Sequence, residues 1–510
     1  MTADRFDRPS RTVRYNVARS CRADEQRIVE DNMAELRPIQ ITSPRIAGHD
    51  GFRSTFPIWV AAFVATMFIT LASYPGFLSY DSIQELMQAR TAVDGSQYPP
   101  FGSYVWRIFD WIAPGPTLMQ FVQNGLLEFS FAYIVGRTRL PKSIKVLCVA
   151  AFTVLPPILG TMLVVWKDVA VGACYMGALA LVISVTTEAT RNQRYVRIAM
   201  ALFLVWCGMA YRFNAASGAF PLVMYAVWKL LGPCDKKHQK LKRIMGCAML
   251  TLALSAVVWM INNYRLPSFE RLARNTNSDS IMKYDLIGIS IFSNKAIVPD
   301  VNGHPLSADY LRKIYDPRHL NITANNDHEH RVAPKLENVT SLWISAIMAN
   351  PVAYLQHRTA VFREYISLHR HDVFYVTHPS VDANSLGITF TATPFKSYVT
   401  EYLWRSRSAD ICRPWIYYLT SLILVAALFM VKASSYRFEA LTAFSSGYLY
   451  LMPMYFITPA ADLRYNFWSV CGCVVASILA LAGICMRDRD DGQRKKKVDN
   501  ASTINTGAWK

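Results

Sequence analysis

Long apolar runs separated by short polar turns occupy most of this chain. A helix needs about 20 apolar residues to cross a hydrocarbon core. Runs of that kind fall at about 56–74, 115–136, 144–165, 169–187, 198–212, 217–233, 244–263, 411–432, 438–457 and 466–486. The pattern predicts an all-α polytopic membrane protein with about ten transmembrane helices. Pro156-Pro157 should kink the third span, because proline removes a helix hydrogen bond. The segment 99–113 is apolar but short and carries Arg107 and Asp110. It reads as an interfacial helix lying against the membrane. Ser341 to Leu368 reads as helical with a break at Asn350-Pro351, and Trp343, Ile347, Tyr354 and Phe362 suggest contact with the membrane interface. Asn275 to Gly303 mixes Ser, Asn, Asp and Gly with short apolar patches and yields no clear element.

These boundaries divide the chain into a basic tail (1–55), a membrane bundle (56–263, with a first outer loop at 75–114), an outer, mostly helical region (264–410), C-terminal membrane helices (411–486) and a second basic tail (487–510). Charge supplies the orientation. Lys and Arg number 54 against 36 Asp and Glu, a surplus of +18, and it gathers in alternate loops. One set holds the Arg-rich N-terminus, Arg137 to Lys145, Arg191 to Arg197, Lys236 to Arg243, Lys432 with Arg437, and the Arg494-Lys495-Lys496-Lys497 tail. The short loops of the other set hold little beyond Lys167, Arg212 and Arg464. The positive-inside rule then predicts a multi-pass cell-membrane protein with both termini cytosolic. If 99–113 crossed the membrane, every later orientation would invert and the agreement would be lost.

Composition supports this class: 52% of residues are hydrophobic and 18% charged. Seven of the ten cysteines lie within or beside apolar runs, where cysteine acts as a small hydrophobe rather than as part of a disulfide framework. No basic-aromatic module or zinc-finger spacing points to nucleic acid. No phosphate-loop, Rossmann or G-x-S-x-G signature occurs, so energy must come with the substrate or from an ion gradient.

The polar clusters that remain all fall on the side opposite the basic loops. They are Tyr80-Asp81-Ser82, Trp166-Lys167-Asp168, Tyr211-Arg212-Phe213-Asn214 and Asp462-Leu463-Arg464-Tyr465. Charge at a membrane boundary is costly unless it is used or solvated, so four clusters on one face suggest a site open to the extracytosolic side. Asp81 follows a Pro75-Gly76 break and suits either a base acting on a hydroxyl or an N-cap of a helix over 82–90, with Ser79 and Ser82 as alternative caps. Lys167 suits an anionic phosphate at a helix N-terminus, or a local pair with Asp168 beside an interfacial Trp166. Arg212 and Arg464 offer planar forks for phosphate oxygens, or snorkel from helix ends. Asn214 suits sugar hydroxyls or a cap.

This arrangement resembles the GT-C superfamily of integral-membrane glycosyltransferases, which use polyprenyl-phosphate-linked sugars. The Pro75-Gly76…Ser79-Tyr80-Asp81-Ser82 segment carries the resemblance most specifically, and Trp166-Lys167-Asp168 looks like its second acidic position. The resemblance implies Asp81 as catalytic base or acceptor-orienting acid, supported by Asp168, with Lys167, Arg212 and Arg464 on the lipid phosphate. Tyr80 and Asn214 complete the expected substrate-binding set. The implied partners are a polyprenyl-phosphate sugar donor, membrane lipid and a glycan, lipid or protein acceptor, and the implied outcome is inversion. One departure is the modest 264–410 region, followed by further spans, where some members end in a large soluble domain. A transporter or flippase for an anionic lipid or solute is the alternative, and a scaffold is a third.

Eight of ten histidines lie in 264–410. His328-Glu329-His330 and His369-Arg370-His371-Asp372 raise a divalent metal, but neither has the H-E-x-x-H spacing, and the expectation is no cofactor and no metal in the site. Asn321-Ile322-Thr323 and Asn338-Val339-Thr340 match glycosylation sequons.

Overall fold

Each of the ten apolar runs is met by helix, and their lengths and compositions sort them. The computed structural model describes residues 51–485 except 92, 95–98, 233–236, 264–269, 272–276, 301, 321–335, 337 and 432–435. Residues 1–50, the Arg494 tail, Lys236, Lys432, His328-Glu329-His330 and the Asn321 sequon lie outside the described residues.

Five helices among the described residues are long and apolar enough to cross a membrane. They are Thr55–Ser73 within α1 (Gly51–Ser73), α7 (Lys167–Ser184), α8 (Arg191–Tyr211), His238–Asn262 within α10 (Lys237–Asn263), and Leu463–Cys485, which contains α19 (Phe467–Cys485). A sixth is a bent pair, α5 (Lys142–Val154) and α6 (Pro156–Met162), turned by 63°. The bend falls at Pro156-Pro157, as expected. α9 (Ala216–Leu231) and α16 (Pro414–Met430) are apolar but shorter. α4 (Thr117–Gly136) and α17 (Arg437–Leu451) occupy the remaining two runs. The polar content of α4 faces inward: Gln120, Gln123, Asn124 and Glu128 are all buried.

α7 is the axis of the bundle, 83% buried, with α4, α8, α9 and α19 packed around it. α10 is 17% buried and turns Met245, Met249, Leu252 and Trp259 outward. Small residues permit the closest approaches, as in membrane helix packing generally. A Cβ at Gly172 on α7 would lie 2.6 Å from the Phe467 ring of α19. The eight described cysteines are free thiols.

Between α1 and α4 the chain forms α2 (Tyr80–Thr91) and α3 (Pro100–Ile112). α3 has 13 residues, too few to cross a membrane. Pro100, Gly102, Ser103 and Trp106 pack inward while Ile108, Trp111 and Ile112 are exposed, the amphipathic form expected of an interfacial helix. Its Asp110 is held by Arg90 of α2 in a bidentate pair, both contacts at 2.8 Å. A two-residue parallel pairing joins β1 (Val93–Asp94) to β2 (Glu270–Arg271).

The 264–410 region departs from expectation in two ways. Asn277–Ser293 forms a 17-residue helix, α11, in a stretch whose sequence showed no clear element. Its apolar residues Tyr284, Leu286, Ile287, Ile289 and Ile291 found a second core with α12 (Ala308–Ile314), α13 (Val339–Ala349) and α14 (Pro351–Tyr365). α13 and α14 meet at the Asn350-Pro351 break, as expected. Trp343, Ile347 and Tyr354, however, pack into this core instead of facing outward, and Phe362 packs against the membrane bundle. The apolar side chains these two helices expose are Ile344, Met348, Val352 and Leu355. α15 (Pro394–Ser406) and the four-residue α18 (Met454–Ile457) complete the helices.

Candidate functional site

Three extended segments build the floor of the site. Phe77 donates to Leu163 O (3.3 Å) and Val165 donates back to Phe77 O (3.0 Å). Leu78 donates to Ser380 O and Asp382 donates to Leu78 O, each at 3.0 Å. The chain can enter this small ladder because Gly76 adopts φ +128°, and a Cβ there would also crowd Pro116 at 3.1 Å and Val165 at 3.2 Å. The ladder fixes the starts of α2 and α7 side by side, so Ser79-Tyr80-Asp81 and Trp166-Lys167-Asp168 arrive together. Trp166 Nε1 seals the junction, donating to Ser79 Oγ at 2.8 Å.

Asp81 lies inside the first turn of α2 rather than before it, so it is not the N-cap. Ser79 is the residue immediately ahead of the helix, and Ser79 Oγ lies 3.3 Å from Ser82 Oγ. Asp81 Oδ2 instead meets Arg464 at 2.7 Å and keeps 30% of its side chain exposed. Arg464 sits on a short 3-10 turn (Leu463–Asn466) and also contacts Asp462 at 3.3 Å. Its guanidinium lies 4.7 Å from the Trp166 ring and 5.0 Å from the Tyr465 ring. Arg212, where the chain leaves α8 in extended conformation, stacks on Tyr465 as well, at 4.7 Å. Tyr465 is thus shared by two guanidiniums, a cation–π arrangement that holds both planes.

These groups line one cavity of roughly 890 Å³. Tyr80, Asp81, Lys167, Arg212, Asn214 and Arg464 are all on its wall, joined by Asp382, Tyr375, Asp462 and Tyr465. Asn214 Nδ2 also contacts Met454 Sδ at 3.2 Å. Three carboxylates and three cationic side chains therefore line the wall, together with apolar surface from Ile281, Leu320, Met454 and Ile457.

Asp168 is the exception among the expected site residues. Its side chain is 2% exposed, off the cavity wall and ion-paired to Arg212. The local Lys167–Asp168 pair is replaced by this contact, because consecutive residues on a helix do not face one another. Trp166, an interfacial anchor in the local-pair alternative, is buried and backs Arg464.

Sequence reasoning missed Glu85. It lies one turn after Asp81 on α2, is 5% exposed, and occupies space left by Gly102 of α3, where a Cβ would come 2.5 Å from Glu85 Oε1. Burial pushes its carboxyl up to about 7; the Lys167 charge opposes this, and Asp81 and Asp168 add to it. The i, i+4 spacing of Asp81 and Glu85 was the signal that could have found it. Asp382 and its neighbours had no such signal. His378 Nε2 lies 3.1 Å from Asp382 Oδ1 and Tyr375 Oη lies 2.7 Å from His378 Nδ1. Burial lowers the His378 pKa, against the Asp382 charge. Burial likewise raises the Asp462 carboxyl, with Arg464 opposing.

No protein-family model matches the chain, and no curated protein matches it at a significant level.

Proposed function

We propose that the protein is a membrane glycosyltransferase that moves a sugar from a polyprenyl-phosphate donor to an acceptor hydroxyl on the extracytosolic side. The observation that carries this reading is convergence. Four sequence-remote polar clusters, each at the end of an apolar run, meet on one cavity beside the bundle. Ten spans with both termini cytosolic complete the reading, since the basic loops then share one side.

In this mechanism Lys167, at the N-terminus of α7, and Arg212 hold the donor phosphate. Asp168 acts from behind as a positioning residue for Arg212. Arg464 holds Asp81 toward the cavity. The acceptor oxygen bonds to the anomeric carbon as the bond from that carbon to the phosphate oxygen breaks. Asp81 takes the hydroxyl proton and polyprenyl phosphate leaves with the electron pair. The cationic side chains stabilise the charge gathering on that phosphate. One displacement inverts the anomeric centre. The sugar hydroxyls lie against Asn214 and Tyr80.

The test uses purified protein in lipid nanodiscs with a panel of polyprenyl-phosphate sugars, native beside Asp81→Asn. Donor consumption in the native protein alone, with donor binding kept in the variant, supports the reading. A native chain that binds none of the donors sinks it.

A second reading, transport of an anionic lipid or solute, is favoured by one observation. Gln120, Gln123, Asn124 and the ionisable Glu128 run along α4 inside the bundle, and polar groups at such depth are costly unless used. The ladder is partly structural: Gln120 and Asn124 donate to the Leu163 and Met162 carbonyls at 2.8 and 3.0 Å. Thr153 Oγ1 donates to Glu128 Oε1 at 3.0 Å. Flux lost in Glu128→Gln with sugar transfer intact would separate this role from catalysis.

A further inference from the structure

Away from the cavity wall, the end of α14 and the loop after it hold a cluster with no part in the mechanism above. Among the described residues, Glu364, His369 and His371 bring one ligand atom each to within 4.8 Å of one another. Glu364 Oε2 lies 3.4 Å from His369 Nε2 and 3.4 Å from His371 Nε2. The loop reaches this geometry by turning through Ser367, at φ 55°, and by wrapping the Arg413 guanidinium, which donates to the carbonyls of Ser367, His369, Arg370 and His371.

The hydrogen bonding leaves this cluster unsatisfied. His369 Nδ1 faces the His371 carbonyl at 3.0 Å. A carbonyl only accepts, so Nδ1 carries the hydrogen, and in the neutral form of the ring Nε2 presents a lone pair. That lone pair points toward another acceptor, the Glu364 carboxylate. Glu364 Oε2 and His369 Nε2 are both buried without a hydrogen-bond partner. Their side chains are 14% and 10% exposed, so solvent gives little relief. Two facing acceptors repel unless a proton or a metal ion lies between them.

We propose that Glu364, His369 and His371 bind a divalent transition metal of the zinc class. Bonds of about 2.0–2.1 Å to nitrogen and carboxylate oxygen in tetrahedral geometry put neighbouring ligand atoms about 3.4 Å apart, the separation that Glu364 Oε2 keeps from each imidazole Nε2. Two imidazoles and one carboxylate suit zinc better than calcium or magnesium, which prefer all-oxygen shells. Three protein ligands leave the fourth position to water. The His371 ring stacks on His369 at 3.5 Å and is 51% exposed, so it has room to splay about the ion. Two of the nearby cations are already engaged: Arg318 pairs with Asp316 at 2.6 Å, and Arg413 with Asp410 at 3.2 Å. The metal ties the loop to the end of α14. Phe374 and Tyr375, three and four residues past His371, line the cavity. Its role is therefore to hold that wall in place.

The proposal does not depend on the transferase reading, and its test needs no activity. Untagged full-length protein in detergent is stripped with a chelator, re-equilibrated with zinc alone, and assayed for bound metal against a chromophoric competitor. The native chain should retain one zinc more than His371→Ala or Glu364→Gln, and His304→Ala, an exposed histidine elsewhere, should match the native chain. Zinc should raise the unfolding temperature of the native protein and not of His371→Ala. Equal zinc in the native protein and His371→Ala overturns the proposal. Because His371 is half exposed, its variant decides the question even if Glu364→Gln fails to fold.

Discussion

Two knots of carboxylate and arginine among the described residues differ in how they end. In the second core Asp285, His357 and Arg358 are all fully buried. Asp285 Oδ1 lies 2.7 Å from Arg358 Nε and 3.2 Å from His357 Nε2. Trp343 Nε1 donates to Asp285 Oδ2 and Tyr315 Oη meets His357 Nδ1, each at 2.8 Å. Burial lowers the His357 pKa, against the hydrogen bond and charge of Asp285. Arg358 also donates to Thr458 O at 3.1 Å, next to the cavity residues Ile457 and Pro459. At the cavity, by contrast, Asp81 pairs with Arg464 but stays 30% exposed. The same chemical groups serve two ends. A knot closed on every side fixes helices, whereas one left open on a single face has a carboxylate available to a substrate.

The sharpest way to break this comparison is a pair of substitutions. Arg358→Ala leaves Asp285 charged and enclosed, which should cost about 3–5 kcal/mol of stability, read as a large fall in unfolding temperature. Asp81→Asn should leave that temperature near native while sugar transfer falls by about 100- to 10,000-fold, the usual worth of a general base. If Arg358→Ala unfolds no earlier than Asp81→Asn, the distinction between the knots fails.

Glu85 sharpens it next, as the enclosed member of the open knot. Its folded-state pKa is raised from 4.5 to about 7, so the native state holds the proton more tightly than the unfolded chain does. The stability this contributes is fully present below pH 4.5 and is lost as the pH rises through about 7. Glu85→Gln cannot ionise, so its unfolding temperature should fall less than the native protein's between about pH 5 and pH 8. Parallel profiles would show that Glu85 does not titrate there.

The smallest effect belongs to Trp166→Phe. It removes the bond to Ser79, worth about 1 kcal/mol, and weakens the surface beneath Arg464 by about 0.5–1 kcal/mol. Donor affinity should fall a few-fold with the fold intact. A variant with native affinity would remove Trp166 from the site.

The sequence by itself determined the helices of the ten apolar runs and their proline breaks, but not α11, which forms where the sequence showed no clear element. Runs of apolar residues and the prolines at 156, 157 and 351 act locally along the chain, and the helices obey them. It also marked Tyr80, Asp81, Lys167, Arg212, Asn214 and Arg464, because a charged or polar group at the end of an apolar run needs a reason to be there. What the tertiary structure decided was partnership: Asp168 with Arg212, Arg464 with Asp81 and Asp462, Asp285 with Arg358, and Glu364 with two histidines. It also turned Trp343 inward, where the sequence suggested the membrane surface, and buried Trp166, which one of two sequence readings put there. Hydropathy and spacing say how each segment folds, but not which segment packs beside it. The Asp168–Arg212, Arg464–Asp81 and Asp285–Arg358 contacts join residues tens to hundreds of positions apart, and only packing brings those together. The Asp462 and Glu364 contacts are close in sequence, but the loop conformations that make them are set by what packs around them.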